Sequence, residues 1–180
     1  MQLRWSHAVL YVRDLDAMVD FYTQVLGFEV TDRGPLGPAD SPDIVFMSQV
    51  PTDHHQIAMV PVRRDDAAPN SVDHMAFRVD SLADVREMAA RLDKDERVSS
   101  FDPITHGNAW SVYFKDPEGN GVEVFCDSPW HVAQPQARPW DLAQSDEQLA
   151  TWTRAEFESE AEFGPIEAFY SRRAEALEDR

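Results

Sequence analysis

The sequence predicts an α+β fold in which two strand–helix–strand–strand–strand (βαβββ) modules pair into one open, cup-shaped barrel, followed by a helical C-terminal tail. Residues 73–79 repeat the pattern of residues 6–12, and their histidines, His74 and His7, stand 67 positions apart. One helical stretch and three β-rich segments follow each copy, separated by turn-forming residues. Such a repeat indicates a duplicated unit, and two half-open sheets can bury their concave faces against each other.

The first module begins with a β-rich segment at residues 7–12. A helix follows, because Asp14 and Asp16 suit a helix N-terminus and apolar residues then recur at intervals of three and four. Its apolar stripe consists of Leu15, Met18, Val19, Tyr22 and Leu26. Gly27 is typical of a helix end. Further strands are predicted at residues 28–31, 44–50 and 55–62, with a Gly- and Pro-rich loop over residues 34–42.

The second module repeats this order. Its first strand covers residues 73–79, and Ser81 opens its helix. The remaining strands are predicted at residues 97–101, 109–115 and 121–126. The sequence DPEGNG at residues 116–121 is a strong turn signal between the last two strands. We therefore assign residues 1–127 to the paired modules.

The chain changes character after residue 127. Prolines at positions 129, 135 and 139 indicate an extended linker. Ser145, followed by Glu and Gln, is typical of a helix start. Helices are expected within residues 141–163 and 166–177. We expect residues 128–180 to form a tail that packs on the domain or on a neighbouring subunit, with a lid over the site as the alternative.

Composition excludes several classes of partner. The chain of 180 residues carries 33 acidic and 16 basic side chains, a formal net charge of −17. Such a surface repels phosphate backbones and anionic membranes, so we expect neither nucleic acid nor membrane as a partner. The single cysteine, Cys126, can form neither an internal disulfide nor a zinc cluster. The N-terminal sequence lacks the features of a signal peptide, and we expect a cytoplasmic protein.

Three residues from separate strands suggest a metal site. His7 and His74 take equivalent positions in the repeat, which can bring their imidazoles together. Glu123 lies in the apolar strand GVEVF, where an unpaired carboxylate is costly to bury. Two histidines and one carboxylate that leave open positions suit non-haem Fe(II). The sequence therefore predicts His7, His74 and Glu123 as metal ligands.

The two-copy layout resembles the vicinal oxygen chelate superfamily, which includes glyoxalases, fosfomycin-resistance proteins, epimerases and extradiol dioxygenases. Within it, the chain is most similar to one-barrel type I extradiol dioxygenases, which cleave catechols. The stretches that carry this resemblance are residues 53–59, 73–77 and 106–123. The resemblance implies three iron ligands, His7, His74 and Glu123. It also implies an acid–base histidine at His55, an active-site tyrosine at Tyr113 and a second-sphere histidine at His106.

The resemblance implies cleavage of an aromatic diol by O2 at mononuclear Fe(II), with Mn(II) as the alternative metal. The expected partners are the small diol, O2 and further copies of the chain in a homo-oligomer. In the first half of the repeat, the position equivalent to Glu123 is His55 or Gln56. The resemblance implies that glyoxalases carry an acidic fourth ligand at this position, and this chain has no acid there. A metal-dependent isomerase, epimerase or transferase of the same superfamily, or a non-catalytic binding protein, remains the alternative.

Overall fold

The computed structural model describes residues 5–38, 40–64 and 72–178. Within these ranges the chain alternates strands and helices in the α+β order that the sequence predicts. The first four residues of the N-terminal segment and residue 39 of the predicted Gly/Pro loop lie outside them. None of the helices in the described part of the chain is long and apolar enough to cross a membrane.

The first module contains a four-stranded sheet and one helix. Its elements are β1 (Ala8–Tyr11), α1 (Leu15–Gln24), β2 (Glu29–Pro35), β3 (Asp43–Ser48) and β4 (Ile57–Val60). The strand order is β1-β4-β3-β2, with β1 and β4 parallel. α1 begins where the Asp14 side chain accepts a hydrogen bond from the Ala17 amide. Gly27 follows the helix with a φ of +79°, a conformation that favours glycine.

The second module repeats this topology. Its elements are β5 (His74–Arg78), α2 (Leu82–Leu92), β6 (Phe101–Thr105), β7 (Ala109–Lys115) and β8 (Gly121–Asp127). The order β5-β8-β7-β6, with β5 parallel to β8, matches that of the first sheet. The repeat seen in the sequence is therefore a repeat of strand order, as predicted.

The tail supplies short strands and two helices. They are β9 (Trp130–His131), β10 (Arg138–Pro139), α3 (Asp146–Phe157), β11 (Gly164–Pro165) and α4 (Ile166–Glu178). β10 extends the second sheet beside β6. Ser145 caps α3 in a reciprocal arrangement with Gln148, as the sequence predicts. Two buried indoles bind the tail to this sheet: Trp140 Nε1 donates to the Ser111 carbonyl at 3.0 Å, and Trp110 Nε1 donates to Thr153 Oγ1 at 2.9 Å.

The chain divides into two compact units. The first comprises Met1–Asp73 with Asp116–Asn120, and the second comprises His74–Lys115 with Gly121–Arg180. The turn after β7 thus belongs to the first unit, where Glu118 accepts hydrogen bonds from the amides of Arg13, at 2.5 Å, and Asp14, at 2.8 Å. Tyr22 donates to Asp116 in the same unit at 3.2 Å, and burial raises the pKa of both side chains.

Three predicted strands have wrong boundaries. β2 runs to Pro35, four residues past its predicted end and into the predicted loop. β6 lies at Phe101–Thr105 rather than residues 97–101, because the Asp95 carboxylate accepts from the Arg97 amide at 2.9 Å and holds that segment in a turn. Pro103 is accommodated in β6, where its carbonyl accepts from the Trp140 amide. β4 begins at Ile57, so His55 precedes the strand instead of lying within it.

Candidate active site

The central strands of the second sheet gather polar side chains on one face. Glu123 on β8 stands opposite Tyr113 on β7 and Ala76 on β5. Because side chains alternate along a strand, Ser111 and His74 share the side of Tyr113 and Ala76. We call the side that carries His74, Ser111, Tyr113 and Glu123 the Glu123 face. The residues between them on β7 and β8 are apolar and buried.

Glu123 is buried, and each of its carboxylate oxygens contacts a polar side chain. It is 7% exposed. Its Oε1 accepts a hydrogen bond from Ser111 Oγ at 2.6 Å, and its Oε2 lies 3.3 Å from His74 Nε2. These contacts offset the cost of placing a carboxylate among apolar residues. One oxygen is thereby fixed by the serine, and the other is directed at an imidazole nitrogen.

The His74–Glu123 pair fits two coordination positions of one metal ion. Ligand atoms about 2.1 Å from an ion and at right angles to each other lie about 3 Å apart. The observed 3.3 Å between His74 Nε2 and Glu123 Oε2 is close to that separation. One nitrogen and one oxygen donor suit Fe(II) or Mn(II). Solvent reaches the pair from the histidine side, since the His74 side chain is 34% exposed and that of Glu123 is 9% exposed.

Tyr113 and His106 form a second pair beside this one. His106 Nε2 lies 2.8 Å from Tyr113 Oη, and His106 Nδ1 contacts the carbonyl oxygen of Gln136. A carbonyl can only accept, so Nδ1 carries the ring proton, and in the neutral imidazole Nε2 accepts from the Tyr113 hydroxyl. The Tyr113 ring meets His74 edge-on, with ring centroids 5.3 Å apart. The loop that carries His106 therefore brings its ring within hydrogen-bond distance of the tyrosine.

The first unit contains the other two predicted site residues. The rings of His7 and His55 lie 4.2 Å apart between centroids, and Phe46 packs 4.9 Å from His55. His54 Nδ1 lies 2.9 Å from His55 Nδ1, so one of these two nitrogens carries a proton and the other accepts it. Burial, and then the proximity of His7 and His54, lowers the pKa of His55.

Each unit thus brings together its own share of the predicted residues. The second unit groups His74, Glu123, Tyr113 and His106, and the first groups His7 and His55. In the three described ranges, no three His, Cys, Asp or Glu side chains are grouped so that they could hold a metal ion. The assignment of His7, His74 and Glu123 to one ion stays a prediction.

Ser111 was not among the predicted site residues, and the predicted counterpart of Glu123 in the first module is wrong. Ser111 precedes Tyr113 by two residues on a predicted strand, so strand alternation was a usable signal for it. Val9 pairs with Ala58 in the first sheet, as Ala76 pairs with Glu123 in the second. The counterpart of Glu123 is therefore Ala58 and neither His55 nor Gln56. An alanine side chain offers no metal donor, so this position still lacks the acid that would serve as a fourth ligand.

A family comparison identifies the class of this fold. Residues 4–124 match the model of the Glyoxalase/Bleomycin resistance protein/Dioxygenase superfamily. This match covers well over half of the chain, and the chain belongs to that superfamily. The resemblance seen in the sequence is confirmed at this level, and residues 125–180 lie beyond the matched region.

Individual relatives extend this result. The chain is 30% identical over 132 residues to biphenyl-2,3-diol 1,2-dioxygenase 3 of Rhodococcus globerulus, which covers 69% of this chain and 64% of that protein. The glyoxylase/bleomycin resistance protein/dioxygenase domain from Frankia sp. EAN1pec matches with a TM-score of 0.58 at 24% identity, over 71% of this chain and 99% of that one. The fosfomycin resistance protein FosX from Listeria monocytogenes, solved with Mn(II) and sulfate, matches with a TM-score of 0.54 at 21% identity, over 70% and 93%. These two structures show that the fold is shared.

Proposed function

We propose that this protein is an extradiol ring-cleaving dioxygenase that acts on a catechol-type aromatic diol with O2 at a mononuclear Fe(II) site. The observation that carries the proposal is the pairing, on the Glu123 face, of a His74–Glu123 donor pair with a Tyr113–His106 hydrogen bond. The similarity to a biphenyl-2,3-diol dioxygenase supports the same chemistry. Neither an isomerase nor a binding protein needs the tyrosine–histidine pair.

The metal ligands in this proposal are His74 and Glu123 from the second unit and His7 from the first. Ser111 occupies Oε1 of Glu123, which leaves Oε2 to bind the ion as a single donor. When bound, Fe(II) lowers the pKa of the diol hydroxyls and offers open positions to both the diol and O2. Mn(II) accepts the same nitrogen and oxygen donors and is the alternative metal.

His55 is proposed as the acid–base residue. Imidazole can accept and return a proton near neutral pH, which suits removal of the second diol proton. The ring is held between His7, Phe46 and His54, so its position is defined by packing on three sides. Phe46 also offers an apolar surface to an aromatic substrate.

Tyr113 is proposed to form hydrogen bonds with the substrate oxygens, and His106 is proposed to determine whether the Tyr113 hydroxyl accepts or donates in them. While His106 is neutral, the Tyr113 hydroxyl donates to His106 Nε2 and presents its lone pairs to a diol hydroxyl. Once His106 gains a proton, Nε2 becomes a donor and the Tyr113 hydroxyl is free to donate to an anionic oxygen. The pair can thus follow the change from a neutral to an anionic substrate.

We also propose that the protein forms a homo-oligomer, which sedimentation velocity on the full chain tests. A single species with the mass of one chain at all concentrations would contradict the oligomer and leave the proposed chemistry standing.

The activity is tested by anaerobic loading with Fe(II), followed by catechol or biphenyl-2,3-diol with and without O2. The proposal predicts a yellow ring-opened product, formed only with O2 and matched mole for mole by O2 uptake. Turnover without O2 would favour an isomerase, epimerase or transferase. Iron binding without product from a broad panel of diols would contradict ring cleavage.

A further inference from the structure

The tail reaches the candidate active site through one glutamine side chain. Gln134 Nε2 donates to the His106 carbonyl at 2.7 Å, and Gln134 Oε1 accepts from the Gln136 amide at 3.0 Å. The carbonyl of Gln136 in turn contacts Nδ1 of the His106 ring. Gln134 therefore bridges the backbone of His106 and the residue whose carbonyl binds its ring. Both glutamines lie beyond the region that matches the family model.

The partners of Gln134 define its orientation without ambiguity. Its amide NH2 faces the carbonyl oxygens of His106 and Val132, at 2.7 and 3.3 Å, which can only accept. Its amide oxygen faces the Gln136 N–H, which can only donate. A hydrocarbon side chain of the same length would satisfy none of these groups, and the bridge between the His106 carbonyl and the Gln136 amide would be lost, leaving the bond from Gln136 Nε2 to the Ala133 carbonyl at 3.2 Å to hold this part of the loop.

We propose that Gln134 is a positioning residue that selects the tautomer of His106. The hydrogen bond at one ring nitrogen of a histidine decides which nitrogen carries the proton. With the Gln136 carbonyl in place, the proton stays on Nδ1, and Nε2 accepts from Tyr113. Without it, the Nε2–H tautomer becomes accessible, Nε2 donates to the Tyr113 oxygen, and that oxygen has less capacity to accept from a substrate hydroxyl.

In this proposal the tail contributes to the active site by positioning the His106 ring. The statement about the tautomer stands on geometry alone, whereas its effect on catalysis rests on the function proposed above. The two are tested separately, because the tautomer is observed in the full chain without metal or substrate.

The test is a long-range 1H–15N spectrum of full-length protein labelled at histidine, with the His106 signals assigned by their loss in His106→Gln. We expect an N–H type signal for Nδ1 and an acceptor type signal for Nε2. Gln134→Met should shift His106 toward a mixture of tautomers. It should also lower kcat about tenfold while KM changes little, as removal of outer-sphere support commonly does. Gln24→Met, the same change at an exposed glutamine of α1, should leave both unchanged.

Gln134→Glu provides a second variant if Gln134→Met does not fold. It keeps an oxygen for the Gln136 amide but has no donor for the two carbonyls, so the tautomer should again become mixed. If His106 keeps its proton on Nδ1 in every folded variant of Gln134, the positioning role is wrong. If the tautomer changes as expected but the wild-type protein cleaves no diol, the positioning role stands and the proposed function falls.

Discussion

The two modules have the same strand order but carry different chemistry at equivalent positions. In the second, Glu123 on β8 stands opposite Tyr113 on β7. In the first, the corresponding pair is Ala58 on β4 and Phe46 on β3. At this pair of positions the first module thus has an alanine and a phenylalanine, whereas the second has an acid and a tyrosine. The buried Glu123 carboxylate lies in the copy that also supplies Ser111 and His74 to bind it.

The largest effect is expected from removing the carboxylate that distinguishes the second module. Glu123→Ala should abolish retention of Fe(II) and with it turnover, because the buried ligand oxygen is lost. Metal content after gel filtration measures this, with circular dichroism to verify folding. Glu147→Ala, which removes an exposed acid of α3, is the control and should retain iron.

The same loss of iron is expected for His74→Ala and His7→Ala. Full iron retention in any one of the three variants would remove that residue from the ligand set. Retention of iron in Glu123→Ala would also show that the difference between Glu123 and its counterpart Ala58 does not determine which module binds the metal.

His55 tests the contribution of the first module to the reaction. His55→Ala should keep iron bound but slow turnover by roughly two to four orders of magnitude, the usual cost of losing a general acid–base group. Added imidazole should restore part of the rate. An unchanged rate in iron-loaded His55→Ala would show that the proton is taken by another group.

Ser111, which has no counterpart in the ligand set of the first module, is expected to affect the affinity for the metal. Ser111→Ala removes the 2.6 Å hydrogen bond that fixes Glu123 Oε1. It should weaken Mn(II) binding about ten- to a hundredfold, as loss of a ligand's supporting partner does. Titration of the Mn(II) signal by electron paramagnetic resonance measures it. Ser48→Ala, at a buried serine of the first module, should leave the affinity unchanged, and an equal loss in both variants would mean that Ser111 acts only through general stability.

The smallest effects are expected at the helix starts, where the modules are alike. Asp14 caps α1 and Ser81 caps α2 by accepting from the amide three residues later. Ser81→Ala and Asp14→Ala should each lower the free energy of unfolding by about 1 kcal/mol without changing metal affinity. Urea unfolding measures this. A change in metal affinity from either cap would show that the helices, and not only the sheet faces, position the ligands.

Local patterns account for most of the fold that the sequence predicts. The repeat of residues 6–12 at 73–79, the periodic apolar stripe of α1 and the turn at residues 116–121 are short-range signals, and the structure contains the corresponding elements. β6 is predicted too early in the chain because the contact between the Asp95 carboxylate and the Arg97 amide, which holds the preceding segment in a turn, has no pattern of its own in the sequence. His55 was placed in a strand because the β-rich residues after it do not show where pairing begins.

A site residue was predictable where its polarity differs sharply from that of its sequence neighbours. Glu123 stands out because an acid between valines is costly to bury. Ser111 shows no such contrast, and its role depends on the contact with Glu123. The contacts of Gln134 and Gln136 with His106 join segments about 30 residues apart through a loop without periodicity. Such contacts leave no pattern in a single sequence, so the share of the tail in the site became visible only in the structure.

The most direct test of the central claim is an anomalous-scattering map from crystals of the full chain loaded anaerobically with Fe(II). The account predicts one strong iron peak about 2.1 Å from His74 Nε2 and Glu123 Oε2, with His7 as the third protein ligand. An iron peak elsewhere, or iron bound without the carboxylate of Glu123, would contradict it.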